Sequence, residues 1–182
     1  RRLESLRASM TSISKRLRIL DPLSVTGRQR KERFRLDLLL QDIVEAHEAQ
    51  VKRHDIELNL LSTDRPVEIS AVKGMVVQVL ENLISNSVYW LEIEKQRKMT
   101  FEPAITIVVE DNPPRIRFSD NGPGISSQYK NRVFDLFFSL KDKSRRRGLG
   151  LYIAKEAAEH NGGLLTLDPD ITNSEGRFTT FD

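Results

Sequence analysis

Apolar positions along this chain form helical stripes and short alternating runs, the pattern of an α/β protein. Leu3, Leu6, Met10, Ile13, Leu17 and Leu20 recur in steps of three and four, the seam period of a helix bundle. Asp21-Pro22 stops that helix, because the residue before a proline is pushed out of the α region. A lone helix this short cannot bury its stripe, so it is expected to pack on a preceding helix, a second copy or its own domain. Residues 24–33 lack any period and read as a linker. Phe34-Arg35-Leu36 reads as a short strand, and Asp37 as the cap of a helix reaching about Arg53, with Leu39, Leu40, Ile43, Val44 and Val51 on one face. Strands are predicted at Ile56–Leu60 and Val67–Ile69, and again at Ile105–Val109 and Arg115–Ser119 around the turn Asp111-Asn112-Pro113-Pro114.

The helix after Lys73 carries the broadest stripe: Val76, Val79, Leu80, Leu83, Ile84 and Leu91. Asn82 and Asn86 lie one turn apart beside it, where two amides are costly unless they find partners, either nearby backbone or a ligand. Asp120-Asn121-Gly122-Pro123-Gly124-Ile125 follows the strand ending at Ser119. On its own this is a turn, although its glycines also leave room for a ligand against the backbone. A Phe-rich segment, Val133 to Phe138, precedes a short charged loop from Ser139 to Arg147. Gly148-Leu149-Gly150-Leu151 then opens a helix with Ile153, Ala154, Ala157 and Ala158, ended by Asn161-Gly162-Gly163. Leu164–Leu167 and Arg177–Phe181 are expected to close the chain as strands.

Charge and composition narrow the class. Residues 1–35 hold 11 Lys/Arg against 3 Asp/Glu, a balance of +8, and the rest hold 18 against 23, a balance of −5. The basic character therefore belongs to the N-terminal arm rather than to a folded basic face, so no nucleic-acid partner is expected. That arm is a solvated helix face or a surface for an acidic protein. No apolar run is long enough to span a bilayer, and no signal-peptide pattern opens the chain. Cysteine is absent, which removes disulfides and thiolate metal sites and fits a cytoplasmic setting, including the cytoplasmic part of a membrane-bound protein. The chain starts at Arg1 without Met and is expected to be a piece of something longer.

Four segments in this order resemble the GHKL superfamily of ATP-binding domains, which takes in gyrase, the ninety-kilodalton heat-shock chaperone, histidine kinases and MutL. Glu81-Asn82-Leu83-Ile84-Ser85-Asn86 is similar to its N box, Asp120 to Ile125 to its first glycine box, Phe134 to Phe138 to its F box, and Arg147 to Leu151 to its second glycine box. The likeness covers roughly residues 33–182. It implies a two-layer α/β sandwich with a mixed sheet, the Bergerat fold, holding ATP between the helix layer and the loop after Phe138. Asp120 would accept the adenine amine, and Asn86 would offer its oxygen to Mg²⁺. Gly148 and Gly150 would present backbone N–H groups to the phosphates, with Lys141 and Arg147 neutralising charge. The resemblance also places Asn82, Tyr89, Gly122, Gly124, Ile125, Phe138, Leu149 and Leu151 at the nucleotide.

One position selects the branch. Hydrolytic members carry a Glu four residues before the metal-binding Asn; here it is Asn82, and an amide cannot take a proton from water at neutral pH. Within the superfamily the chain thus resembles the catalytic domain of sensor histidine kinases, as do the short loop before Gly148 and the seam helix, similar to part of a dimerising phosphoacceptor hairpin. Residues 1–23 would be that helix, 24–33 the linker and 34–182 the ATP-binding domain. The implied partners are a phosphoacceptor helix, a response regulator and a second copy of the chain. There are departures: Tyr89 stands where such kinases usually have Lys or Arg, and His47, His54 and His160 match no phosphoacceptor box, so the acceptor histidine is expected outside this chain. The alternative is a chaperone-type or MORC-like ATPase, to which the Asn-Leu-Ile-Ser-Asn-Ser run is also similar. A non-enzymatic scaffold is disfavoured by the intact Asp120, Asn86 and box glycines.

Overall fold

The structure, a computed structural model, describes residues 30–63, 65–141 and 148–182. The seam helix expected over 1–23 and residues 142–147 of the charged loop lie outside them. Lys31–Asp182 forms one compact unit. Its elements run β1 (Glu32–Arg35), α1 (Leu36–Arg53), β2 (Glu57–Leu61), β3 (Glu68–Ala71), α2 (Lys73–Arg97), β4 (Ala104–Glu110), β5 (Arg115–Asp120), a 3₁₀ turn (Ser127–Tyr129), α3 (Gly150–His160) and β6 (Thr180–Phe181).

β1 and β3 pair antiparallel as a two-stranded ribbon, and the main sheet runs β2-β4-β5-β6. The β2–β4 pairing is parallel and the rest antiparallel, so the sheet is mixed as expected. Strict alternation along β4 buries Ile105, Ile107 and Val109 and leaves Thr106 and Val108 on the other face. The buried side meets Leu40 and Ile43 of α1, Leu80, Leu83, Ile84 and Leu91 of α2, Ala154 of α3 and Phe118 of β5 in one core. Each fully buried Leu or Phe there contributes about 1.5–3 kcal/mol. Helices on one face of a mixed sheet make the two-layer α/β sandwich that the sequence predicts.

Three local expectations need correction. Asp37 does not cap α1: Arg35 holds the N-cap position with no side-chain cap, and Asp37 already lies inside the first turn. Its carboxylate takes the Arg35 guanidinium and the Val67 N–H instead, which ties α1 to the segment before β3. The first strand is Glu32–Arg35 rather than Phe34–Leu36, because Leu36 turns into the helix to become core. At the C-terminus only Thr180–Phe181 is a continuous strand. Thr166 and Asp182 exchange backbone bonds at 2.8 and 2.9 Å, but Pro169 ends that ladder, and Phe178 pairs with Ile125 instead.

Asn161 does more than precede the stop glycines of α3. Its side-chain oxygen accepts the Val72 N–H at 2.7 Å, holding the entry to α2. Gly162 takes φ +85, and Gly163 returns its N–H to the Ala158 carbonyl, a left-handed helix end of the expected kind.

Candidate nucleotide site

The site forms where α2, the end of β5 and the start of α3 meet. Asp120 is the last residue of β5, and each of its carboxylate oxygens has one donor. Ser87 Oγ donates to Oδ2 at 2.5 Å and the Gly122 N–H to Oδ1 at 3.0 Å. Burial pushes the Asp120 carboxyl above its ordinary value; the Ser87 and Gly122 bonds pull in the opposite direction with less effect. Both oxygens retain acceptor capacity, so the group can accept a hydrogen bond from a ligand amine. Ser87 was not anticipated. Its signal was present in the sequence as a hydroxyl in the Leu80, Ile84, Leu91 seam, where only apolar residues belong.

The glycine box is held rigidly. Asn121 accepts the Ala104 N–H at 2.8 Å and donates to the Glu102 carbonyl at 2.8 Å. A Cβ on Gly122 would come within 2.9 Å of Asp120 Oδ1. Gly124 has φ +69, and its Cβ position lies 2.8 Å from the Arg177 side chain. Ile125 and Phe178 exchange backbone bonds at 2.7 and 2.9 Å, and Asn173 donates to the Pro123 carbonyl at 3.2 Å. The turn thus leans on the 173–178 hairpin, and a side chain at Gly124 would push it off.

Asn82 and Asn86 face the first turn of α3. A Cβ on Gly150 would stand 3.1 Å from Asn82 Oδ1 and 3.7 Å from Asn86 Nδ2. Asn82 spends its N–H on the Gln78 carbonyl at 2.9 Å, within its own helix. Glu81 is exposed, away from this facet. α3 has no side-chain N-cap, so its first-turn N–H groups and the positive end of its dipole are directed at the same space.

The F box and the second glycine box are fastened together. Phe137 has φ +65 and Gly148 φ +62, and the Phe137 N–H donates to the Gly148 carbonyl at 2.8 Å. Phe138 turns inward against Tyr129, ring centroids 5.7 Å apart, while Phe137 stays exposed. Leu149 occupies the N-cap of α3, and Leu151 packs against the core.

Lys141 Nζ donates to Asn86 Oδ1 at 2.8 Å and lies 4.6 Å from the centre of the Tyr89 ring. Asn86 therefore already turns its oxygen toward a cation, which is the chemistry a hard metal requires. Among the described residues no three His, Cys, Asp or Glu side chains gather as a metal cage. An ion held there would rest on few protein oxygens together with ligand oxygens, as Mg²⁺ commonly does. Of the residues expected at the site, Asn82, Asn86, Tyr89, Asp120, Gly122, Lys141 and Gly150 are brought together around α2. Gly124, Ile125, Phe138, Gly148, Leu149 and Leu151 support them from the two glycine turns. Arg147 lies outside the described residues.

The histidines are placed elsewhere. His47 Nδ1 lies 2.9 Å from the Ile43 carbonyl inside α1, His54 pairs with Glu92 at 2.7 Å, and His160 is the last residue of α3. Among the described residues no helix is long and apolar enough to cross a membrane.

Residues 71–182 match the family described as histidine kinase-, DNA gyrase B-, and HSP90-like ATPase. Histidine protein kinase SaeS of Staphylococcus aureus is 28% identical in an alignment 153 residues long that covers 77% of this chain and 40% of that protein. This chain thus spans about two fifths of the curated relatives it matches. The catalytic domain of histidine kinase ThkA superposes with a TM-score of 0.68 at 24% identity, covering 84% of this chain and 92% of that one. Full-length ShkA in complex with AMPPNP gives 0.68 at 20% identity, covering 98% of this chain and 36% of that one.

Proposed function

This chain belongs to the histidine kinase-, DNA gyrase B-, and HSP90-like ATPase family, and from that premise we propose that it is the ATP-binding catalytic domain of a sensor histidine kinase. In this reading Asp120, braced by Ser87 and Gly122, accepts the adenine amine. Gly122 and Gly124 keep the floor of the pocket clear. The N–H groups at the start of α3, behind Gly148 and Gly150, receive the phosphates, with Lys141 and Arg147 as counter-charges. Asn86 offers its oxygen to Mg²⁺, which when bound would neutralise phosphate charge. The rest of the catalytic effect is positioning of the γ-phosphoryl group for an acceptor.

The observation that carries the choice of branch is Asn82. It occupies the facet beside Gly150 where a base for water would stand, and its amide has no proton-accepting role at neutral pH. The acceptor is then a histidine outside this chain, on a phosphoacceptor helix of the same or a second copy, in a cytoplasmic setting with a response regulator downstream. ThkA, similar in fold, is a histidine kinase known in complex with a response regulator protein. Dimerisation through residues 1–23 belongs to the same proposal.

The 182-residue chain is expected to bind ATP with Mg²⁺, to release no phosphate above background and to acquire no label from γ-labelled ATP. Steady-state phosphate release by the unmodified chain would overturn the kinase reading in favour of a chaperone-type ATPase. Asn82→Glu supplies the comparison, since it restores a carboxylate beside Gly150.

A further inference from the structure

Asn86 and Tyr89 are three residues apart on α2 and so present one facet. Lys141 reaches that facet from the other side of the F box. Its ammonium touches Asn86 Oδ1 at 2.8 Å and the Tyr89 ring at 4.6 Å from the centroid. Both partners are fixed. Tyr89 is buried and packs edge-on against Trp90, centroids 5.0 Å apart, and the Lys141 backbone N–H donates to Ser139 Oγ at 3.2 Å. An aromatic face and a neutral amide oxygen both attract a cation.

The oxygen that holds Lys141 is the one assigned above to Mg²⁺. It cannot accept an ammonium at hydrogen-bond distance and also coordinate a metal along the same direction. We infer that Asn86 and Tyr89 form a seat in which Lys141 holds the place of the divalent cation. Lys141 keeps Asn86 Oδ1 until a metal-bound nucleotide takes it, and supplies phosphate counter-charge itself when nucleotide arrives without metal. Tyr89 is then a positioning residue, acting through Lys141. The inference rests on the nucleotide reading of this site and adds to it a built-in substitute for the metal. Its signature is the dependence of nucleotide affinity on Mg²⁺, which a purely structural role for Tyr89 or Lys141 would not alter.

Calorimetric titration of the full chain with ATP, once with MgCl₂ and once with EDTA, reads this directly. The unmodified chain should bind in both conditions, more tightly with metal. Lys141→Met should weaken binding in EDTA by about tenfold and with Mg²⁺ by only about twofold. Tyr89→Leu should shift the ratio in the same direction by a smaller amount, and Tyr89→Phe, which keeps the ring face, should restore it. Equal losses in both conditions for Lys141→Met would overturn the inference, leaving a general charge effect. Identical behaviour of Tyr89→Leu and Tyr89→Phe would also overturn it. Lys141 is a half-buried side chain outside the core, so its variant tests the idea even where a Tyr89 variant folds poorly. An unmodified chain that binds ATP in neither condition would refute the nucleotide reading itself, a result distinct from the other two.

Discussion

Ser87, in the apolar seam of α2, donates its hydroxyl proton to Asp120 Oδ2 at the end of β5 across 2.5 Å. The bond joins the helix layer to the sheet at the residue proposed to accept the adenine amine. Burial raises the Asp120 carboxyl above its ordinary 3.8, so the folded chain holds that proton at pH values where the unfolded chain has lost it. As pH rises through this window the group therefore costs stability, while ATP affinity should rise as the acceptor ionises. Ser87→Ala removes one donor to the charged form. Its rise in affinity should move to higher pH, with about tenfold weaker binding within the window. ATP titrations at a series of pH values upward from 3.8 check this; an unshifted profile would show that Ser87 only fills space.

Gly148 should be the least replaceable glycine at the site. It has φ +62, and a Cβ there would lie 2.3 Å from the Phe137 carbonyl carbon, with no flexible side chain to give way. Gly162 provides the control, with φ +85 but its nearest atom the Lys31 ammonium at 4.0 Å. Gly162→Ala carries only the backbone penalty of about 1 kcal/mol, whereas Gly148→Ala adds a steric overlap and should cost about 2–4 kcal/mol. Thermal unfolding of the two variants gives the comparison. Equal losses would mean that the Phe137–Gly148 contact yields easily.

Acid should weaken the fold through Asp37. Its bond to the Arg35 guanidinium holds the carboxyl down at about 2, against an ordinary 3.8, despite its burial. A depressed carboxylate stabilises the fold above its unfolded value and loses that contribution as pH falls from 3.8 toward 2. Asp37→Asn should cost about 1–3 kcal/mol at pH 7, and that difference from the unmodified chain should shrink near pH 3. Urea unfolding at the two pH values measures it. A constant difference would mean that the amide loses packing rather than charge.

Much of this was legible in the sequence because the informative residues sit in regular elements. The period of α2 places Asn82 and Asn86 on one facet, and strand β5 carries Asp120 to its end. Legibility ended where partners are distant along the chain. Asp37 has the right type for a cap but stands inside the first turn, where Arg35 and the distant Val67 N–H take its carboxylate. Asn161 reads as part of a helix stop, while its amide serves Val72, far away in sequence. Arg177–Phe181 alternates like a strand, but Phe178 is drawn off to brace Ile125. In each case a long-range hydrogen bond decided between local options of similar cost.

The bond from the Phe137 N–H to the Gly148 carbonyl has an architectural consequence. It brings Phe137 back beside Gly148, so the two ends of the intervening stretch of sequence are fixed together. Lengthening an interval whose ends are fixed together costs only ~0.6 kcal/mol for each doubling. The interval can therefore vary in length at little cost to the fold, while α2 keeps Asn82 and Asn86, and the end of β5 keeps Asp120, in place.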